Sequence, residues 1–216
     1  MTTIRKNMIR SALLLSLFAL VGTGLLSLTY EATHERIAQN ERDELIRNLH
    51  KIISPDKHDN DIFHDTIEIQ HPYLLGTEKP VTVYRARKNG VPVTAVFSSI
   101  APNGYNGTIK LLIGIDTKGQ LTGVRVIAHR ETPGLGDAIE AERSDWILGF
   151  KGKSLLKPAE KDWKVKKDGG FFDQFTGATI TPRAIVKAVK NTLLYYKLNK
   201  HLIYSTKQQG SGNTHE

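Results

Sequence analysis

An uncharged, leucine-rich run near the N-terminus constrains this chain more than any other feature. No charged residue occurs from Ser11 to Tyr30. About 20 residues of helix span roughly 30 Å, which is the thickness of the hydrocarbon core of a membrane. We therefore expect a transmembrane anchor at 11–30. The rest of the 216-residue chain is long enough for one soluble domain of ordinary size.

The charges that flank this run predict its orientation. Arg5, Lys6 and Arg10 precede it, whereas acidic residues follow it. The positive-inside rule then predicts that residues 1–10 lie in the cytoplasm and that the bulk of the chain lies on the other side of the membrane. A cleaved signal peptide has a similar start and is the alternative, but no Ala-x-Ala type of cleavage site closes the run.

Composition narrows the range of partners and cofactors. The net charge is +8, but the lysines between Lys151 and Lys167 alternate with Gly, Pro, Trp and acidic residues. Nucleic-acid sites show a more organised pattern of basic and aromatic residues, so we interpret these lysines as solvated surface and expect no nucleic-acid partner. The chain has no cysteine, which excludes disulfides and cysteine-bound iron–sulfur clusters within it.

The segment 31–80 is predicted to be a helical stalk followed by a connector. A partial apolar stripe in Glu31–Ile53 favours a helix, which Ser54-Pro55 would end. The stretch from Pro55 to His71 is polar and rich in His and Asp. These are ordinary metal ligands, but their spacing is not of the zinc type, so a solvated connector is the preferred interpretation.

Strand patterns begin at Val81. Val81–Ala86 and Pro92–Phe97 flank Asn89-Gly90, which is a good type I′ hairpin turn. Thr108–Asp116 and Leu121–His129 form a second predicted pair, and their apolar runs favour central positions in an antiparallel sheet.

Helical patterns return in the second half of the chain, at Asp137–Arg143 and, more strongly, at Pro182–Leu198. The predicted fold is therefore α+β, an antiparallel sheet with packed helices behind one transmembrane helix. We place this domain at 81–204, and we expect the polar segment 205–216 to be disordered.

The loop before the last helix carries the candidate chemistry. Thr181 is a good N-cap and Pro182 a good first helical residue, which places the hydroxyls of Thr176 and Thr179 close to a helix N-terminus. Gly177 and Ala178 have almost no side chain, so a phosphate could approach free backbone N–H groups there. An ordinary capped helix, with threonines that make only local hydrogen bonds, explains the same residues.

The pattern Asp173-x-x-Thr176-Gly177-Ala178-Thr179 matches the Asp-x-x-Ser/Thr-Gly-Ala-Ser/Thr flavinylation motif of FMN-binding domains. The wider sequence resembles the G subunit of the Rnf electron-transport complex and, more distantly, the C subunit of the sodium-pumping NADH:quinone reductase. The further segments that carry the resemblance are Gly104–Gly107, Glu131–Asp137 and Ser144–Trp146.

The resemblance implies that Thr179 carries FMN through a phosphoester bond. It also implies that a separate flavin transferase makes this bond from FAD and recognises Asp173. Thr176, Gly177, Ala178 and Thr181 would complete the attachment segment.

The resemblance also implies a second wall of the flavin pocket. We expect Glu131, Thr132, Leu135 and Gly136 to form it. Tyr105 and Trp146 are candidates to face the flavin, although such aromatic residues often belong to a core. We interpret His129, at a strand end, as structural or solvent-facing.

The expected function is an electron relay by covalent FMN within an ion-translocating complex of the bacterial inner membrane, with the bulk of the chain in the periplasm. The expected partners are the other membrane subunits and, transiently, the transferase. The chain lacks the Gly-x-Gly-x-x-Gly pattern of dinucleotide sites, so we expect no NADH site and no independent catalysis. The alternatives are a flavin-binding sensor or scaffold outside the cytoplasm and a tethered envelope-interaction domain without flavin.

Overall fold

The computed structural model describes residues 2–205 and divides the chain into two compact units, Met1–Ile46 and Arg47–Glu216. We predicted disorder for 205–216; residues 206–216 of this segment lie outside the described residues.

The first unit consists of one helix. Helix α1 runs without interruption through Thr2–Ile52, so its last residues belong to the second unit. It contains a stretch that is long and apolar enough to cross a membrane. The anchor and the stalk, predicted as separate elements, are one helix because the stalk sequence contains no Gly or Pro that would break it.

The second unit is built on a five-stranded antiparallel sheet with strand order β1-β2-β3-β4-β5, which confirms the predicted fold class. The Asn89-Gly90 turn joins β2 to β3 as predicted, with Asn89 at a φ of 52° and Gly90 at a φ of 74°. The strands are β1 (Thr66–Ile69), β2 (Val81–Lys88), β3 (Val91–Gly104), β4 (Gly107–Asp116) and β5 (Leu121–Ala128).

Three features of the unit differ from the prediction. Strand β1 lies in the segment that was interpreted as a connector. It is only four residues long and has polar neighbours, and it pairs with β2. Strand β4 is central as predicted, but β5 is at the edge of the sheet. The outer edge of β5 is hydrogen-bonded at one point, where the backbone of Leu121 pairs with that of Gly152 and Lys153.

The third difference concerns helices. Helix α2 (Pro72–Leu75) is a single turn that was not predicted. The predicted helix at Asp137–Arg143 is only a 3₁₀ turn, Gly136–Ile139. Further 3₁₀ turns are Pro55–Lys57, Asp145–Phe150, Glu160–Asp162 and Lys166–Asp168.

Helix α3 (Ile180–Tyr204) covers one face of the sheet. Its apolar stripe packs with Phe97 and Ile113 in a single buried core, and the hydroxyls of Ser99 and Thr192 meet at 2.9 Å within it. On the other face, Ile52 lies against Gly114 and Gly123. The sheet is therefore buried on both sides, and α3 is held with its N-terminus near the turn between β3 and β4.

The acidic residues of the segment 55–71 have partners within the fold. Asp65 binds Arg85 and Arg87 at 2.5 and 2.8 Å, and Asp61 pairs with His64 at 2.7 Å. Among the described residues, no group of three or more His, Asp or Glu side chains is arranged to hold a metal ion.

Candidate functional site

A cleft of about 290 Å³ opens beside the N-terminus of α3. Three segments that are far apart in sequence form it: the turn between β3 and β4, the loop from Glu131 to Gly136, and the segment 177–181. The residues that line it are Tyr105, Glu131, Thr132, Leu135, Gly136, Gly177, Ala178, Thr179, Ile180 and Thr181.

Thr179 occupies the N-cap position of α3. Its backbone is already helical, with φ −78° and ψ −29°, and its carbonyl accepts the Arg183 N–H at 3.3 Å. Its side chain makes no capping hydrogen bond and is partly exposed. The first N–H groups of a helix have no intrahelical acceptor, and the aligned peptide dipoles give this end a partial positive charge. The Thr179 hydroxyl therefore lies where a phosphate is favoured.

The backbone just before Thr179 turns sharply. Gly177 adopts the left-handed region, with a φ of +80°, and the Ala178 N–H donates to the Phe175 carbonyl at 3.2 Å. A side chain at Gly177 would point at Leu135, whose Cδ2 lies 3.6 Å from the Cβ position. Space for a Cβ exists there, so it is the positive φ that favours glycine at this position.

Thr181 does not cap the helix, so this part of the sequence interpretation is wrong. Its side chain is fully buried, and its hydroxyl donates to Oε2 of Glu131 instead. This contact spans 50 residues of sequence. The helix consequently begins at Ile180, before the predicted first residue Pro182.

Glu131 holds the three segments of the cleft together. Its Oε2 accepts the N–H of Tyr105 at 3.2 Å, and its Oε1 accepts the N–H of Asn106 at 3.0 Å. Gly136 lies close to it, because a Cβ at Gly136 would be 2.8 Å from Cβ of Glu131 and 3.0 Å from its Oε2. The carboxylate thus joins the β3–β4 turn, its own loop and the first turn of α3.

His129 supports the same loop. Its Nδ1 accepts the Glu131 N–H at 3.0 Å, and its Nε2 lies 2.7 Å from Oε1 of Glu140. Because Nδ1 is an acceptor, the ring proton belongs on Nε2, where it is donated to Glu140. His129 is therefore structural, in line with its interpretation from sequence.

Asp173 and Trp146 lie outside the cleft. The Asp173 carboxylate is exposed and pairs with Lys166 Nζ at 2.5 Å. Its carbonyl accepts the indole N–H of Trp146 at 2.8 Å, and that indole packs against Phe175 with ring centroids 5.2 Å apart. Trp146 thus fixes the segment that leads to Thr179, and its position does not match a role facing a ligand in the cleft.

A second tie holds the same segment to α3. Arg183 donates two hydrogen bonds to the Asp168 carboxylate, at 2.6 and 2.7 Å. The hydrogen bond from Arg183 holds the pKa of Asp168 below its ordinary value. Both ends of the segment 168–183 are therefore anchored, whereas Thr176 at its centre is exposed.

The rim of the cleft carries apolar side chains that solvent reaches. Leu135 is 46%, Ile180 45% and Tyr105 65% exposed. Ile180 was not expected here from the sequence, although its apolar side chain directly after Thr179, the last residue of the predicted attachment motif, is a signal that could have found it. An apolar rim with a hydroxyl and a helix N-terminus on one side suits a planar ring that carries a phosphate.

Two segments of this chain are similar in sequence to known protein families. Residues 1–52 match the family model of the RnfG N-terminal region, and residues 104–194 match that of the FMN-binding domain. The G subunit of the ion-translocating oxidoreductase complex of Shewanella loihica is 49% identical over 199 residues, which cover 92% of this chain and 94% of that protein. The chain belongs to the family of G subunits of ion-translocating oxidoreductase complexes.

The likeness to this family extends over almost the whole chain. The G subunit from Pseudomonas aeruginosa is 47% identical over 204 residues, or 94% of this chain and 95% of the relative. The G subunit from Shewanella amazonensis is 50% identical over 196 residues, or 91% of each. Every residue that lines the cleft falls within the matched FMN-binding domain.

Proposed function

We propose that this chain is an electron-relay subunit of an ion-translocating oxidoreductase complex in the bacterial inner membrane, and that it carries FMN as a phosphoester on Thr179. The observation that carries the proposal is the position of the Thr179 hydroxyl, which is partly exposed and unbonded at the N-terminus of α3 and opens into the cleft. Bound FMN supplies reversible uptake of electrons, and the chain's own residues supply placement and electrostatics.

The residues beside Thr179 fit the phosphate of FMN. Gly177 and Ala178 leave the backbone accessible, and the end of the helix dipole favours a negative charge. A threonine hydroxyl is a weak nucleophile without a base. Glu131, the carboxylate that lines the cleft, already accepts three hydrogen bonds. In this proposal, a separate flavin transferase supplies the base.

In the proposed reaction, FAD donates its FMN half to Thr179. The threonine oxygen forms a bond to the phosphorus of the FMN half, the phosphoanhydride bond to the AMP half breaks, and AMP leaves while the hydroxyl proton passes to the transferase. Asp173 and Thr176 are exposed and are therefore accessible to such an enzyme.

The cleft suits a ring that exchanges electrons with another protein. Its volume of about 290 Å³ is just below the range of roughly 300–1,000 Å³ that is common for ligand sites. Leu135 and Ile180 offer apolar contact to a planar ring, and Tyr105 borders it. A ring in this open cleft keeps part of its surface accessible to a redox partner. The candidates for that partner are the other membrane subunits of the complex.

The experiment that tests the proposal is Thr179→Ala in the full-length chain, coexpressed with a flavin transferase. We expect loss of the mass of one FMN and of the flavin fluorescence that survives denaturation, because the attachment oxygen is gone. The fold should remain, since the Thr179 side chain makes no capping hydrogen bond. Intact mass and in-gel fluorescence provide the measurements.

Two variants serve as controls. Thr179→Ser keeps the oxygen and should retain labelling in part, whereas Thr176→Ala removes a neighbouring hydroxyl and should reduce labelling only mildly. Flavin that stays attached through denaturation in Thr179→Ala would contradict the assignment. Reduction of the flavin by the assembled complex distinguishes a relay from a sensor, which would bind flavin without turning over electrons.

A further inference from the structure

We propose that Glu131 lowers the midpoint potential of the bound FMN, as a fixed negative charge in the wall of the cleft. The inference rests on the proposed function, because it concerns the flavin attached at Thr179. It assigns to Glu131 an electrostatic role in addition to the structural one described above.

The first argument concerns the partners of Glu131. The residue is 5% exposed, and the three groups bonded to its carboxylate are all donors: two backbone N–H groups and the Thr181 hydroxyl. An ionised carboxylate, which only accepts hydrogen bonds, requires this arrangement. The surroundings of Glu131 therefore match a negative charge.

The second argument concerns the absence of a counter-ion. The ion pairs formed by the residues that the structure describes do not include Glu131. Within the part of the chain that the structure describes, its negative charge faces neutral donors and the partial charge at the N-terminus of α3. A full charge without a full counter-charge exerts a net field on its surroundings.

The third argument concerns the effect on a flavin. Glu131 lines the same cleft as Thr179. Each electron that enters the ring adds negative charge, and a nearby carboxylate in a partly water-excluded wall opposes that addition. Removing the carboxylate charge removes this opposition, so the potential should rise.

The test uses the full-length chain in detergent, loaded with FMN by coexpression with a flavin transferase. Loading is first measured by intact mass, and the midpoint potential is then measured by spectroelectrochemical titration. Glu131→Gln keeps the shape of the side chain but removes its charge, so we expect the potential to shift to a more positive value.

Two matched variants separate charge from structure. Glu140→Gln removes the same charge from a residue that does not line the cleft, and it should shift the potential less. Thr181→Val removes one hydrogen bond to Glu131 but keeps the charge, and the potential should remain close to that of the unmodified chain. Equal shifts in Glu131→Gln and Thr181→Val would mean that Glu131 acts only through structure, which would overturn the proposal.

A further variant covers the case in which Glu131→Gln does not fold. Glu131→Met also removes the charge and has a side chain of similar length, so the potential should again rise. An unchanged potential in a loaded variant that lacks the Glu131 carboxylate would overturn the role of Glu131 without affecting the proposed function. Failure of the unmodified chain to gain the mass of FMN would instead contradict the proposed function.

Discussion

Three threonine hydroxyls lie within six residues of one another, and each has different surroundings. Thr176 is exposed, Thr179 is partly exposed, and Thr181 is buried. The hydroxyl of Thr181 is bound to Glu131, whereas that of Thr179 makes no capping bond. Burial and hydrogen bonding thus leave Thr179 as the hydroxyl that is both available and at the helix N-terminus.

Gly177 is the residue on which the approach to Thr179 depends most. Gly177→Val should block labelling with FMN, because a β-branched side chain resists a φ of +80° and would also reach Leu135 across the cleft. Intact mass after coexpression with the transferase measures the effect.

Gly169→Val is the matched control for that substitution. Gly169 has a φ of +77°, and nothing lies within 4 Å of its Cβ position. The two variants therefore carry a similar backbone strain, but only one of them affects the cleft. Normal labelling of Gly177→Val, or equal loss of labelling in both variants, would contradict the role of Gly177.

The sequence predicted some of these residues and missed the reason for others. The spacing of Asp173, Thr176 and Thr179 is local, so a motif can identify it. The role of Thr181 is not local, because its partner Glu131 lies 50 residues away. A capping rule considers only neighbouring residues, and it therefore assigned to Thr181 a hydrogen bond that it makes elsewhere.

At the scale of elements, α3 connects the cleft to the opposite end of the sheet. Its last turns carry the buried Tyr196 and the partly buried Tyr204. Tyr196 donates to the Asp116 carbonyl at 2.9 Å, and its hydroxyl lies 3.4 Å from that of Tyr204. Burial raises the pKa of Tyr196 and, further, that of Tyr204. This end of the helix is therefore held by neutral phenols.

A pH dependence follows from these tyrosines. Their pKa is higher in the folded chain than the value of about 10 in an unfolded chain, so the stability they contribute is complete below about pH 10 and is lost as the pH rises beyond it. We expect Tyr204→Phe to flatten the alkaline fall of the unfolding free energy. Denaturation followed by circular dichroism between about pH 8 and about pH 11, a window that brackets the ordinary phenol pKa, measures this fall.

The exposed Tyr73 provides the comparison for that experiment. It is 88% exposed, so Tyr73→Phe should leave the alkaline fall as it is in the unmodified chain. If Tyr204→Phe and the unmodified chain lost stability with the same slope, burial of the Tyr204 phenol would not be the cause.

Elements with a strong local pattern were the ones that the sequence predicted well. The Asn89-Gly90 hairpin and α3 were found because turn residues and apolar periodicity indicate them directly. Strand β1 was missed because the alternation of Ile67 and Ile69 with polar residues extends over only four positions, and pairing with β2 determines the strand. The edge position of β5 depends on strand order, which the composition of a strand does not reveal.

At the scale of the whole molecule, the proposed periplasmic placement depends on the charges around the apolar part of α1. A reporter enzyme that works only outside the cytoplasm should be active when fused after Tyr30, because Arg5, Lys6 and Arg10 favour a cytoplasmic N-terminus. The same reporter fused after Arg10 should be inactive. Activity in the reverse pattern would invert the placement and remove the Thr179 segment from the compartment proposed for it.

Three segments that are far apart in sequence form the cleft. The proposed attachment of the flavin and the seating of its ring are therefore two distinct events in the maturation of this protein. Under the proposed attachment, the phosphoester lies on Thr179, in the segment that begins at Asp173, whereas the β3–β4 turn and the loop at Glu131 also place the ring. We therefore expect attachment of the flavin and seating of its ring to be separable. Fluorescence anisotropy distinguishes the tethered but freely rotating ring from the seated one, and their ratio reports how far folding has progressed in a labelled population.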